Sequence, residues 1–591
     1  HQERYRSTLE EMKIATDAYL RDGVTQLYNH GWTYTEEKEV APSRDMPWAN
    51  RIQPWSTWWR YYPQLAGYVS RCCRLLREGR LVADVLIYSP QASVWSQRVL
   101  FGNERRIMPY GNLPKTLLAN GYDYDLVNDD LLQRHAKVAG GRIAIREHLC
   151  RFLILPGIRA LPPATLRRVR EFAVQGGVVI ALDRLPSHSV GLGGRETGDA
   201  EVKETVADLF GADRRGRSFA GGGESHFLAQ YRIVERQFSP QEQPYAPTPA
   251  LTPEQTQLLD ILRRHLAPDV ALEDHRQSDG LTFIHKQAGE TDIYFLTNLQ
   301  PAATRQTIRF RVTGKRAERW DPLNGSTGPV LFYRSMSDGI EIPLSFAPWE
   351  SAFLVFVPAP AASHVTATNL AEVREVDGDR VLGLAESNGQ VETEVLSGSK
   401  RRVLRAPVKN LPPPFELSGS WKLALEGVRA ERIEKVLNRL ASWTESEDSR
   451  HVSGCGSYEL DFDLPAGYLR RDQELVLDLG VVGNTAEVLL NGRRAGVRWM
   501  QPYRFEVTRL VRNGPNNLRI VVTNTLQNHV AGLQDAPEVP AELQGRYGRT
   551  ALDVYPTGAA SLKNRDAKFS PLPLSGLLGP VRLVARRIVK L

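Results

Sequence analysis

Tyr458-Glu459-Leu460-Asp461-Phe462, Leu475-Val476-Leu477-Asp478-Leu479-Gly480, Ala486-Glu487-Val488-Leu489-Leu490-Asn491-Gly492 and Ser575-Gly576-Leu577-Leu578-Gly579-Pro580-Val581 follow one another between Gly456 and Leu583. Each run is short, alternates apolar with polar residues over much of its length and is closed by turn formers. Asn491-Gly492 is a strong hairpin signal, because both residues tolerate the left-handed backbone that a two-residue turn needs. The pattern predicts an antiparallel β-sandwich over about 415–591.

Upstream, Leu411-Pro412-Pro413-Pro414 and Pro358-Ala359-Pro360 punctuate the chain, leaving a strand-rich bridge at 361–414. Between 272 and 360, Thr282-Phe283-Ile284-His285, Ile293–Asn298, Trp320-Asp321-Pro322 and Ser351–Phe356 have the spacing of a second β-sandwich. Ser218–Pro253 is rich in Gly, Pro, Gln and Ser, with Ala220-Gly221-Gly222-Gly223 near the start, and 213–271 is expected to be a linker or surface excursion. A phosphate-binding loop is excluded there, since no strand and helix flank the glycines and the Lys-Ser or Lys-Thr is missing.

From 81 to 212 strands alternate with helices: Val85–Tyr88, Leu153–Pro156, a helix over Pro163–Gln175, and Val178–Leu182. That order predicts an α/β unit with a parallel sheet. It resembles the glutamine-amidotransferase-like domain found behind the barrel of several glycosidase families. An active amidotransferase needs a nucleophilic cysteine on a strand-to-helix elbow, whereas Cys150 precedes its strand, so a structural role is expected.

In residues 1–80, Leu9, Met12, Ala15 and Tyr19 share one helical face and Gly23 stops the helix. Val24–Tyr28 then reads as a strand, an aromatic loop runs to Tyr62, and Leu65, Tyr68, Val69, Cys72, Leu75 and Leu76 mark a second helix. A strand, a long loop and a closing helix suit the last βα unit of a (β/α)8 barrel, whose function gathers on the loops after its strands. Residue 1 is His rather than Met, and the rest of such a barrel is expected upstream.

The loop holds five of the eleven tryptophans, Trp32, Trp48, Trp55, Trp58 and Trp59. His30, Trp32, Glu36, Trp55 and Trp58 are the candidate substrate-binding residues: flat indole faces stack on sugar rings, and polar side chains bond to hydroxyls. The alternative is that the tryptophans pack the barrel mouth against the next domain. Trp499, Tyr503 and Arg504 offer a second candidate sugar site, while Asn524, Asn528 and His529 can instead bond a neighbouring domain. Glycoside hydrolysis needs two carboxyls. Glu36, Glu37, Glu39 and Asp45 are the acids on the loop, and Thr35–Glu39 reads as an exposed charged turn. The catalytic pair is therefore unassigned.

The chain's 591 residues exceed one core and imply three to five domains at about 100–200 residues each. The net charge of +7 is a difference between 75 basic and 68 acidic residues spread along the length, which argues against nucleic-acid binding. No apolar run reaches the roughly 18 residues needed to span a bilayer. Four cysteines make no disulfide framework, and neither Cys-x-x-Cys nor His-Glu-x-x-His occurs.

Read together, Gly23–Gly31, Trp55–Trp59, Tyr68–Gly79, Asp84–Tyr88, His275-Arg276, Asp292–Phe295, Trp320–Gly325 and Ser575–Val581 resemble, in order and over nearly the whole chain, glycoside hydrolase family 106, the α-L-rhamnosidases. The last 415–591 likewise resemble the galactose-binding-like jelly roll attached to many large glycosidases. The resemblance implies inverting hydrolysis of terminal α-L-rhamnosides in oligo- or polysaccharides by two barrel carboxylates, a nearby calcium ion, and secretion or a periplasmic location. The barrel strands that carry those carboxylates are not in this sequence, so the chain alone is expected to be inactive. A non-catalytic carbohydrate-binding assembly is the alternative.

Overall fold

A computed structural model describes residues 5–29, 52–91, 93, 107–108, 110–191, 195–233, 236–237, 250–272, 280–360, 362–533, 541 and 571–591. Mixed α/β structure in the N-terminal half gives way to two strand-rich sandwiches.

The α/β unit carries a six-stranded sheet ordered 216–218, 224–228, 178–182, 152–156, 85–88, 124–127. All neighbours are parallel except the edge strand 216–218. The central strands Val85–Tyr88, Phe152–Pro156 and Val178–Leu182 are buried throughout, as expected where helices cover both faces. Leu153, Leu155, Val179 and Ala181 face helices Pro163–Val174 and Arg195–Phe210. The alternate residues Phe152, Ile154, Val178 and Ile180 face Leu113–Ala119 and Pro253–His265.

The stretch 213–271 is therefore not a linker. It supplies two strands of this sheet, the helix Pro253–His265 on its face, and Val270–Leu272 of the adjoining sandwich. Its glycines serve close packing: a Cβ on Gly223 would lie 1.9 Å from the Ala173 carbonyl oxygen, and one on Gly221 would lie 2.0 Å from that of Val174.

The first sandwich packs the sheet 80–81, 281–288, 291–298, 351–358, 315–320, 327–329 against the sheet 270–272, 304–310, 339–346, 334–336. Between them lie Phe283, Tyr294, Leu296, Phe310, Phe346, Leu354 and Phe356. The second packs 433–437, 421–427, 454–464, 514–523, 485–490, 493–498 against a sheet led by 582–590 and 473–478. Asn491 and Gly492, at φ +54° and +74°, turn the hairpin that joins 485–490 to 493–498. The bridge is part of this second body, because 372–377 and 380–385 extend its sheet beside 582–590 and Val365, Val391 and Val395 enter its core.

Two helices stand at the N-terminal end. α1, Leu9–Arg21, starts at a reciprocal capping box between Thr8 and Glu11 and stops before Gly23 at φ +87°. α2, Tyr62–Leu76, has Pro63 in its first turn and buries Leu65, Tyr68, Cys72 and Leu76. The expected strand Val24–Tyr28 is not one: the segment forms no ladder, and its side chains are half-buried or exposed. A strand exists only with a hydrogen-bonding neighbour, and none stands beside this segment among the described residues.

Candidate functional site

The two helices meet both sandwiches. Leu9, Leu20, Trp58, Tyr61, Leu65, Tyr68 and Leu76 form one core with Ile284, Phe295, Phe353 and Val355 of the first sandwich and Trp499 and Met500 of the second. Trp58 is 3% exposed and donates its indole N–H to the Ser7 carbonyl at 3.0 Å. Its faces pack this core. Trp499 and Tyr503 are buried in the same way, and Arg504 pairs with Asp478 at 2.7 Å. His30, Trp32 and Glu36 lie outside the described residues, as do Trp48, Glu37, Glu39, Asp45 and His275-Arg276.

At the start of α2, Trp59 stacks on Tyr62 with centroids 5.3 Å apart and planes 6° from parallel. Asn29 reaches the Tyr62 hydroxyl at 3.3 Å through its amide nitrogen, Tyr28 is 84% exposed, and Trp55 and Trp59 are half-buried. This cluster of Asn29, Trp59 and Tyr62 sits where the described chain enters and leaves the loop. It combines flat apolar faces with hydrogen-bonding groups, the combination that sugar recognition uses. Tyr62 ends the aromatic loop and opens the helix Tyr62–Leu76, and nothing in its local sequence marks it as a site residue.

The Tyr61 hydroxyl donates to Glu487 Oε2 at 3.1 Å, and Arg494 pairs with the same carboxylate at 2.7 Å. Burial pushes the Tyr61 phenol up, and Glu487 adds to the shift. Thr57 donates to the Asn524 carbonyl, while the Asn524 and Asn528 side chains bond within their own body, to Val452 and Arg450 carbonyls and to Ser575. Glu487→Gln keeps the shape but removes the charge, and is expected to cost about 1 kcal/mol, read as a small fall in the thermal midpoint and faster amide exchange in α2.

Every described acid between residues 5 and 90 is engaged. Glu10 accepts the Gln501 backbone N–H at 2.8 Å, and burial raises its carboxyl against that bond. Glu11 closes the capping box, Asp17 pairs with Lys13 at 2.7 Å, and Asp22 pairs with Arg21 at 3.0 Å. Glu78 is bound by Arg74 and Asp84 by Arg311. Cys150 is likewise occupied and inert: it is buried, its thiol donates to the Ala83 carbonyl at 3.3 Å, and burial pushes it up.

Glu224, His226 and His265 form a group of metal-ligand type whose donor atoms lie within 4.8 Å of one another. Two imidazoles and one carboxylate do not suit calcium, which takes six to eight oxygens, so no calcium step is derived from these residues.

A rhamnosidase from Novosphingobium sp. PP1Y, 23% identical, matches 99% of this chain and 47% of its own with a TM-score of 0.67, a likeness of fold. A Formosa agariphila protein described as "Putative beta-glucuronidase" is 22% identical over an alignment covering 97% of this chain and 61% of that protein. The chain thus spans less than two thirds of either relative. Residues 1–335 of the 591 match the family model for alpha-L-rhamnosidase, and with more than half its length in that match the chain belongs to glycoside hydrolase family 106.

Proposed function

We propose that this chain is the scaffold and part of the substrate rim of an α-L-rhamnosidase acting on terminal rhamnose in exported glycans, in the periplasm or outside the cell. The observation that carries the reading is the state of the acids. Inverting hydrolysis uses one carboxyl to protonate the leaving oxygen and another to activate water, about 6.5–9.5 Å apart. All six described acids from 5 to 90 are instead held by a guanidinium, an ammonium, a backbone N–H or a cap. The reacting pair is therefore assigned to residues other than these, and the end-of-barrel reading of residues 1–80 belongs to the same proposal.

The cluster of Asn29, Trp59 and Tyr62 would then contribute binding. Trp59 and Tyr62 offer a stacked apolar surface for the face of a deoxy sugar, and Asn29 bonds a hydroxyl. A second reading, a β-glucuronide substrate, is favoured by the description of the Formosa agariphila relative. No described helix is long and apolar enough to cross a membrane.

The two readings separate by titrating the 591-residue chain with L-rhamnose and with D-glucuronate while following tryptophan fluorescence. A saturable response to L-rhamnose, weakened about tenfold in Trp59→Ala, is expected. A response to D-glucuronate alone would support the second reading, and silence toward both sugars would contradict both.

A further inference from the structure

The stretch expected as a linker brings three side chains of metal-ligand type together. Glu224 and His226 are two residues apart on the strand Glu224–Leu228, so their side chains leave the same face of the sheet. His265, the last residue of the helix Pro253–His265, lies over that face, with its ring edge to Phe152 at 6.2 Å between centroids. Glu224 Oε2 lies 2.9 Å from His226 Nε2 and 3.2 Å from His265 Nε2. The three donors come from elements 41 residues apart in the chain and converge on one point.

We infer that Glu224, His226 and His265 form a binding site for a zinc-class divalent ion, which clamps the helix Pro253–His265 to the parallel sheet. Donors held about 2.0–2.2 Å from a tetrahedral ion stand roughly 3.3–3.5 Å from one another. The two measured separations from Oε2 fall just short of that spacing, and all three pairs lie inside 4.8 Å, so side-chain adjustments suffice to admit the ion. Imidazole nitrogens with one carboxylate oxygen are a donor set that zinc and its neighbours accept and calcium or magnesium do not favour. The side chains are 29%, 22% and 14% exposed for Glu224, His226 and His265, so none of the three is sealed from solvent. Among the described residues no other group of three or more such side chains brings its donor atoms together in this way.

Without an ion, the same atoms make two imidazoles bridged by one carboxylate oxygen. The alternative is therefore a hydrogen-bonded staple with no metal role, and the test has to distinguish ligation from that staple. The chelator-treated 591-residue chain is titrated with Zn2+ by calorimetry and with Co2+ by visible absorption. One equivalent of each is expected, with Co2+ bands of tetrahedral nitrogen and oxygen ligation and no thiolate charge-transfer band from the cysteines. His226→Ala and His265→Ala are each expected to weaken Zn2+ by at least about tenfold, Glu224→Gln to weaken it less, and Ca2+ in excess not to compete. Hydrogen exchange on the unsubstituted chain gives a readout independent of any variant's folding: Zn2+ should slow exchange in the last turn of Pro253–His265. Absence of stoichiometric Zn2+ binding, thiolate-type Co2+ bands, or affinity unchanged in both histidine variants would overturn the inference.

Discussion

Asp17→Ala is expected to destabilise the N-terminal helices by about 3–5 kcal/mol, because it strands a buried ammonium. Lys13 and Asp17 are one helical turn apart on α1, with side chains 0% and 1% exposed and Nζ to Oδ2 at 2.7 Å. The site is built on both sides. Lys13 also donates to the Trp349 carbonyl, and Asp17 accepts from Tyr68 on α2 and from Thr297 at 3.0 Å. Tyr68 is in turn 2.7 Å from the Ser351 hydroxyl. One carboxylate thus ties both helices to strands 291–298 and 351–358. Burial and the neighbouring Asp17 charge hold the Tyr68 phenol well above its ordinary value, so it stays a donor throughout the working range. The loss should be read as faster amide exchange in α1, since a chain of several bodies does not unfold as one unit. Lys13→Met combined with Asp17→Leu removes both charges and should restore much of the lost protection.

His285→Leu should cost a similar amount, about 3–5 kcal/mol, and should also change how stability depends on pH. The His285 ring is stacked on Tyr294 at 3.9 Å, with Nδ1 at 2.8 Å from Asp269 and Nε2 at 3.1 Å from Asp292. Tyr294 donates to Asp269 at 3.0 Å, Lys315 pairs with Asp292 at 2.5 Å, and Arg311 joins Asp269 to Asp84. The network fastens the α/β unit, through Asp84, to the first sandwich.

Burial alone would lower the His285 pKa, but the two carboxylates outweigh it and hold the imidazole up at about 9. A base with a raised folded pKa contributes stability that is complete below its ordinary value of 6.5 and is lost as pH rises through about 9. Asp269 and Asp292 are lowered despite their burial, so their contribution is present above 3.8 and fades as pH falls. Nearby Asp123 is raised by burial to about 7, which erodes stability between 3.8 and that value. The contact should therefore weaken steadily from neutral to alkaline pH, and His285→Leu should flatten the slope between 6.5 and 9. Amide exchange in strands 281–288 and 291–298, corrected for its intrinsic pH dependence and followed across that range, checks the sign.

Periodicity and turn chemistry make the layered cores legible in the sequence. Asn491-Gly492 works as a local signal because two left-handed residues are rare outside such turns, and the all-apolar runs at 152–156 and 178–182 imply cover on both faces. What failed were inferences from composition. Gly221 and Gly223 look like a flexible tether, yet each is glycine because a neighbouring carbonyl approaches where a Cβ would sit. Val24–Tyr28 has strand-like residues, but pairing is a property of a neighbour that one segment cannot reveal. At the site, a tryptophan on a loop looks the same whether it serves a sugar or a core. Only tertiary contacts separate Trp58, sealed among α1, α2 and the sandwiches, from Trp59, stacked on Tyr62. The convergence of Glu224 and His226 with His265 was invisible for the same reason, because no fixed spacing in sequence links a strand to a helix folded back over it.

Turnover of an aryl α-L-rhamnoside by the 591-residue chain tests the central claim most directly, that the carboxyls held in the described N-terminal region are structural and the reacting pair is supplied by other residues. Any hydrolysis observed is predicted to survive replacement of Glu10, Asp22 or Glu78 by its amide. Robust hydrolysis that disappears when Glu10, Asp22 or Glu78 is replaced by its amide, with the fold intact, would contradict it.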